Sequence, residues 1–186
     1  MKRGIGLVLI ATACGAQLDL HLPARASYDF WLDSDMSTQT REAVAEAVAQ
    51  WTTYTDVQIA LHDGDRPCVE AGCFFVTENS LKLLSEATDT NWDGWTTWGI
   101  VFIKPGESYD ETQHTVTHEF GHALGLVHHP LPYVSVMAPG YRDAADHVAC
   151  DDVLQFYSVR GIDAVPASVT PCTDSPGALP WDGGSD

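Results

Sequence analysis

Apolar positions along the chain follow two rhythms, and the changes between them mark the elements. Positions 28–32, Tyr-Asp-Phe-Trp-Leu, read as a strand ended by the turn-forming Asp33-Ser34-Asp35. Ser37 or Thr38 then caps a helix in which Val44, Ala45, Val48 and Trp51 recur at helical spacing. Thr53 to Thr55, poor helix formers, end it. Val57, Ile59 and Leu61 alternate with polar partners as a second strand, and 73–76 and 98–103 are further strands. Between 81 and 97 the pattern predicts a short helical stretch and then loop. A second helix is expected over 111–124 and a third from 144 or 150 to 159, with Gly161 suited to its C-terminal cap. The strand–helix–strand opening predicts an α+β domain in which a helix packs on a mixed sheet. No internal repeat is visible, and Pro166, Pro171, Pro176 and Pro180 make the last stretch an irregular surface tail.

Composition narrows the function classes. The 186 residues suffice for one domain with a core, and 45% apolar residues with six Trp are those of a globular protein. Acidic side chains outnumber basic ones 26 to 9, a net charge of −17. That balance argues against binding nucleic acid or an anionic lipid surface, both of which need excess Lys and Arg. No apolar run approaches the roughly 20 residues of a membrane-spanning helix.

Lys2 and Arg3, an apolar stretch over 5–10 and the small residues Ala11-Thr12-Ala13-Cys14-Gly15 read as a secretory signal over 1–13. Cleavage just before Cys14 resembles a bacterial lipoprotein signal, in which that Cys carries the lipid; an ordinary signal cut nearby is the alternative. The resulting expectation is an exported protein, lipid-anchored on the cell envelope or secreted, touching the membrane only through Cys14. A tether over 14–27 precedes a domain over 28–162, followed by the tail over 163–186. Lipidation of Cys14 would also leave an even number of cysteines. The other four allow three connectivities, of which Cys68–Cys73, closing a small loop, and Cys150–Cys172, pinning the tail, are expected.

The chemistry is concentrated in His118-Glu119-Phe120-Gly121-His122-Ala123-Leu124-Gly125-Leu126-Val127-His128. His118 and His122 are four apart, so on a helix they share a face about one turn, roughly 6 Å, apart. Two imidazoles so placed can hold one Zn2+, with Glu119 beside it to serve a bound water. Gly125 lets the helix stop and the chain swing His128 back as third ligand. Three neutral His leave a fourth position open, the arrangement of a catalytic zinc site.

This HExxHxxGxxH pattern resembles that of the metzincin clan of zinc peptidases. Downstream, Ser135-Val136-Met137-Ala138-Pro139-Gly140-Tyr141 looks like the clan's Met-turn in its matrixin form, MxPxY. The resemblance implies a mixed, mostly parallel twisted sheet with an active-site helix, a Met-turn and a C-terminal helix. It places Met137 beneath the zinc ligands and Pro139 and Tyr141 in the wall of the pocket for the side chain after the cleaved bond. Positions 151–157, Asp-Asp-Val-Leu-Gln-Phe-Tyr, resemble the last helix of matrixin catalytic domains. The position after the third ligand is commonly Ser in that family and is His129 here; the spacing selects His128.

The resemblance implies a zinc-dependent endopeptidase acting on protein or peptide substrates held extended along a sheet edge, with Glu119 as general base and acid. A zinc-binding surface module, or a peptidase processing only its own chain or one partner, is the alternative. A monomer is expected. Asp89, Asn91, Asp93 and Gly94 spell the start of a Ca2+ loop, but Ile100 stands where the twelfth-position Glu belongs, which favours an Asx-rich turn over a Ca2+ site. His114, one turn before His118, is read as solvated, and His21, His62 and His147 as surface residues. Trp92, Trp95 and Trp98 are expected to line a substrate cleft or to pack in the core or loops.

Overall fold

A computed structural model describes residues 25–65, 68, 70–79, 93–97, 99–129, 135–138 and 147–162. The signal, most of the tether and the tail lie outside the described residues, as do Cys14, His21, Asp89, Asn91, Trp92, Trp98, Pro139, Tyr141 and Cys172. Among the described residues the chain runs β1 (Ser27–Leu32), α1 (Thr38–Tyr54), β2 (Gln58–Asp63), β3 (Cys73–Thr77), β4 (Gly94–Thr97), β5 (Ile100–Ile103), α2 (Tyr109–Ala123) and α3 (Cys150–Ser158). The strands form one sheet in the order β2-β1-β3-β5-β4. All pairings are parallel except β4 with β5, which is antiparallel. The fold is therefore mixed α+β with a mostly parallel sheet.

Alternation along β1 decides which face of the sheet is covered. Tyr28, Phe30 and Leu32 are buried against the helices, and Phe30 stacks on Phe120 of α2 with ring centroids 4.2 Å apart. Asp29 and Trp31 face the other way, where His62 of β2 stacks on Trp31 and meets Asp29 at 2.8 Å. Ser37 caps α1 by accepting from the Thr40 amide. The buried face of α1 is Ala43, Val44, Ala47 and Trp51, whereas Ala45 is exposed and Val48 half-buried. This corrects the expected apolar stripe: Ala43, Ala47 and Trp51 lie four apart, and Ala45 sits about 200° around the helix from Ala43. Trp51 is fully buried and donates its indole N–H to the Thr117 carbonyl at 3.0 Å, locking α1 to α2.

Two expectations for the middle of the chain need correction. Gly94–Thr97, expected as loop, is the antiparallel edge strand β4. The strand expected over 98–103 begins only at Ile100, which pairs with Thr97 of β4, and Gly99 lies in a turn. Gly-Trp-Thr-Thr has no apolar alternation, and its pairing partner and packing surface are supplied from elsewhere in the fold. The Cys68–Cys73 disulfide closes the loop before β3. Cys150, at the start of α3, is also disulfide-bonded, with its partner outside the described residues.

Candidate metal centre

The centre is built on α2. Ser108 accepts from the Glu111 amide while Glu111 accepts from the Ser108 amide, a capping box that satisfies orphan donors at the helix start. Asp110 and Glu111 place negative charge at the positive end of the helix dipole. The other end is closed by Gly125, whose φ of 98° strains any residue with a Cβ. Gly125 N–H donates to His122 O and Leu126 N–H to Gly121 O, both at 2.9 Å, the paired bonds of a Schellman cap. The chain then reverses and delivers His128 to the face that carries His118 and His122.

The three Nε2 atoms converge. Separations are 3.1 Å for His118–His122, 3.1 Å for His118–His128 and 3.3 Å for His122–His128. These are close to the edge, roughly 3.3 Å, of a tetrahedron with metal–nitrogen bonds of about 2.0–2.1 Å. Orientation is set by the other ring nitrogens. His118 Nδ1 donates to Val136 O at 2.7 Å and His122 Nδ1 to Leu126 O at 2.9 Å. A carbonyl only accepts, so in the neutral rings the lone pairs of both Nε2 atoms face each other. Burial and the neighbouring imidazoles hold His118 far below the usual histidine pKa, and burial first, then His128, brings His122 down to about 4. Two unprotonated nitrogens at 3.1 Å have no proton to share and repel, which a shared cation reverses. The donor set is the only one of its kind among the described residues, and three imidazoles suit zinc.

Beneath the helix lies a turn over 135–138. Ala138 N–H donates to Ser135 O, Met137 N–H to Ser135 Oγ at 2.9 Å, and His129 N–H to Met137 O at 3.0 Å. Met137 is fully buried. Its thioether packs so closely under α2 that a Cβ at Gly121 would overlap Sδ. Asp152 of α3, itself buried, holds the turn by accepting from the amides of Val136 at 3.0 Å, Met137 at 3.3 Å and Ala149 at 2.8 Å, and from the Ser135 hydroxyl. Burial raises the Asp152 pKa against these hydrogen bonds. Glu119, next to the first ligand, is buried at 3% exposure, and its Oε2 accepts from Thr96 Oγ1 of β4 at 2.7 Å.

The structure thus brings His118, His122 and His128 together, with Glu119 on the same helix and Met137 below it. His129 is buried, is not among the converging ligand atoms, and is tied to Met137 through its backbone. His114, expected in solvent, is buried at 6% exposure with its ring 6.2 Å from that of His118, one turn along the same covered face of α2. Asp93 is engaged by Lys104 at 2.9 Å. Gly121, Asp152 and Thr96 are the site residues that sequence reasoning missed. An interior helical Gly was the one available signal, since it costs roughly 1 kcal/mol against Ala unless a close approach requires it.

No protein-family model matches the chain, and no curated protein matches it. Solved structures similar to it include high choriolytic enzyme 1 (HCE-1), a hatching enzyme zinc-protease from the medaka fish Oryzias latipes, with a TM-score of 0.46, 10% identity, and coverage of 73% of this chain and 90% of that chain. At that identity the functional reading rests on the residues of this chain.

Proposed function

We propose that the chain is a zinc-dependent endopeptidase of metzincin type, matrixin-like in its MxPxY turn. The observation that carries this reading is the convergence of three imidazole Nε2 atoms within 3.3 Å, beside a buried glutamate on the same helix. His118, His122 and His128 would hold a zinc ion, which would supply Lewis acidity to the scissile carbonyl and to water at the site. Glu119 takes the proton of the attacking water and returns it to the leaving amine. Val136 O and Leu126 O keep two of the rings aimed by accepting from Nδ1. The substrate lies extended along edge strand β4, adding a strand through backbone hydrogen bonds. Its side chain after the cleaved bond enters a pocket walled by Pro139 and Tyr141, and the acidic protein acts outside the cell, tethered through Cys14.

A zinc-holding surface module needs only the three histidines; a carboxylate buried next to them favours the peptidase. Digestion of a mixed peptide library by zinc-loaded protein tests the reading. Glu119→Ala should retain stoichiometric zinc and lose cleavage, whereas His118→Ala should lose the metal itself. Undiminished cleavage by Glu119→Ala, or wild-type protein that binds no zinc, overturns it.

A further inference from the structure

Beyond the triad and its glutamate, β4 makes a contact that the peptidase chemistry so far leaves unused. Thr96 is buried at 6% exposure on this edge strand, paired with Val101 of β5. Its single hydroxyl lies 2.7 Å from Glu119 Oε2 and 2.9 Å from the Glu119 backbone carbonyl. Two residues earlier, Gly94 makes room for the same side chain. A Cβ there would sit 2.7 Å from Glu119 Cγ, 2.9 Å from Oε1 and 2.6 Å from Thr115 Cγ2. Gly94 and Thr96 are two apart and so share one face of the strand, the face turned to α2. One residue opens the space that the glutamate fills, and the other hydrogen-bonds the glutamate within it.

We infer that Thr96 is a positioning residue for Glu119, its hydroxyl fixing the carboxyl group from β4. The inference rests on the peptidase reading for its catalytic meaning, while the contact itself stands on the geometry. A glutamate side chain has three rotatable bonds, and a general base must stay within hydrogen-bond reach of the water it serves. One fixed donor removes most of that freedom. The hydroxyl also has a place in both halves of the cycle. When Glu119 is a carboxylate, Thr96 O–H donates to Oε2. When Glu119 holds the proton taken from water, that proton points to the reactants, and the Thr96 hydrogen stays on Oε2 or turns to the Glu119 carbonyl. The transferred proton stays on Glu119 until the amine leaves with it, and Thr96 gains and loses none. Thr96 also sits on the strand along which the substrate is proposed to lie, so seating a peptide on β4 and aiming the base become one event.

The test compares Thr96→Val, which keeps the β-branched shape and removes only the hydroxyl, with Thr96→Ser, which restores it. In zinc-loaded protein Thr96→Val should lower kcat about 10- to 100-fold, the range typical of losing a group that orients a functional ligand. KM and zinc affinity should stay within about twofold, and Thr96→Ser should recover most of kcat. Metal-free protein gives a second readout. The antisymmetric carboxylate band of Glu119, assigned by subtracting the infrared spectrum of Glu119→Gln, should move to higher frequency in Thr96→Val and stay in place in Thr96→Ser. An unmoved band, or a Thr96→Val enzyme with unchanged kcat, overturns the inference. Zinc-bound wild type that cleaves no peptide overturns the peptidase reading instead, and the infrared band then decides alone whether Thr96 holds Glu119.

Discussion

Replacing Gly121 by Ala adds one methyl group to the middle of α2 and sets two local effects against each other. Helix propensity favours the change by about 1 kcal/mol. Packing opposes it. The new Cβ would overlap Met137 Sδ and lie 3.2 Å from both Met137 Cε and Trp51 Cζ2, where unstrained contacts are about 3.5–4.0 Å. Met137 and Trp51 are both fully buried, so neither side chain can swing into solvent. Overpacking of this kind costs about 1–3 kcal/mol, and an outright overlap belongs at the upper end. The net effect is a loss of about 2 kcal/mol, or roughly 4–8 °C in Tm for a domain of this size. Calorimetric melting of metal-free Gly121→Ala measures it without linkage to zinc. Met137→Ala in the same chain supplies the control: with the thioether gone, most of the penalty should be lost and only the Trp51 contact remains to oppose the helix preference for Ala. A Gly121→Ala protein that melts at or above the wild-type temperature refutes the close approach between helix and turn.

Two further outcomes are expected. Asp152→Ala leaves the buried Val136 amide and the half-buried Ala149 amide without their acceptor, and should cost about 3 kcal/mol in urea unfolding. It should also weaken zinc binding about 10- to 100-fold, because Val136 O no longer holds the His118 ring in place; unchanged affinity in a chelator competition would show that the turn does not depend on Asp152. Glu107 has its pKa raised from 4.5 to about 7, first by burial and then by the Asp93 carboxylate beside it. A raised folded-state value means that the native protein holds the proton more tightly, so this contribution to stability is complete below about pH 4.5 and lost as the pH rises through about 7. Glu107→Gln should flatten that part of the stability profile, and equal slopes for the two proteins between pH 4.5 and 8 would count against the shift.

The metal-binding positions were legible because their geometry is local. His118 and His122 are joined by one helical turn, and Gly125 announces where that helix must end. The elements β1, α1 and α2 carried their own periodicity and caps. What stayed hidden depends on partners distant in sequence. Asp152 serves amides at positions 136 and 137, and nothing in Ala149-Cys150-Asp151-Asp152 distinguishes a turn-holding carboxylate from a helix-start acid. Thr96 could not be seen while 81–97 read as helix and loop, since β4 exists only through its pairing with β5 and its packing on α2. The burial of His114 follows from the tertiary packing of α2, which no single-helix pattern encodes.

One short stretch of backbone, Gly125-Leu126, has two duties: the Leu126 amide shuts α2, and the Leu126 carbonyl aims His122. Architecture and reactivity are therefore fused in the heptad from His122 to His128. Lengthening or shortening that segment by a single residue would unseat the helix terminus and misdirect two imidazoles at one stroke, so loop grafts and insertions that redesign this protein should enter elsewhere.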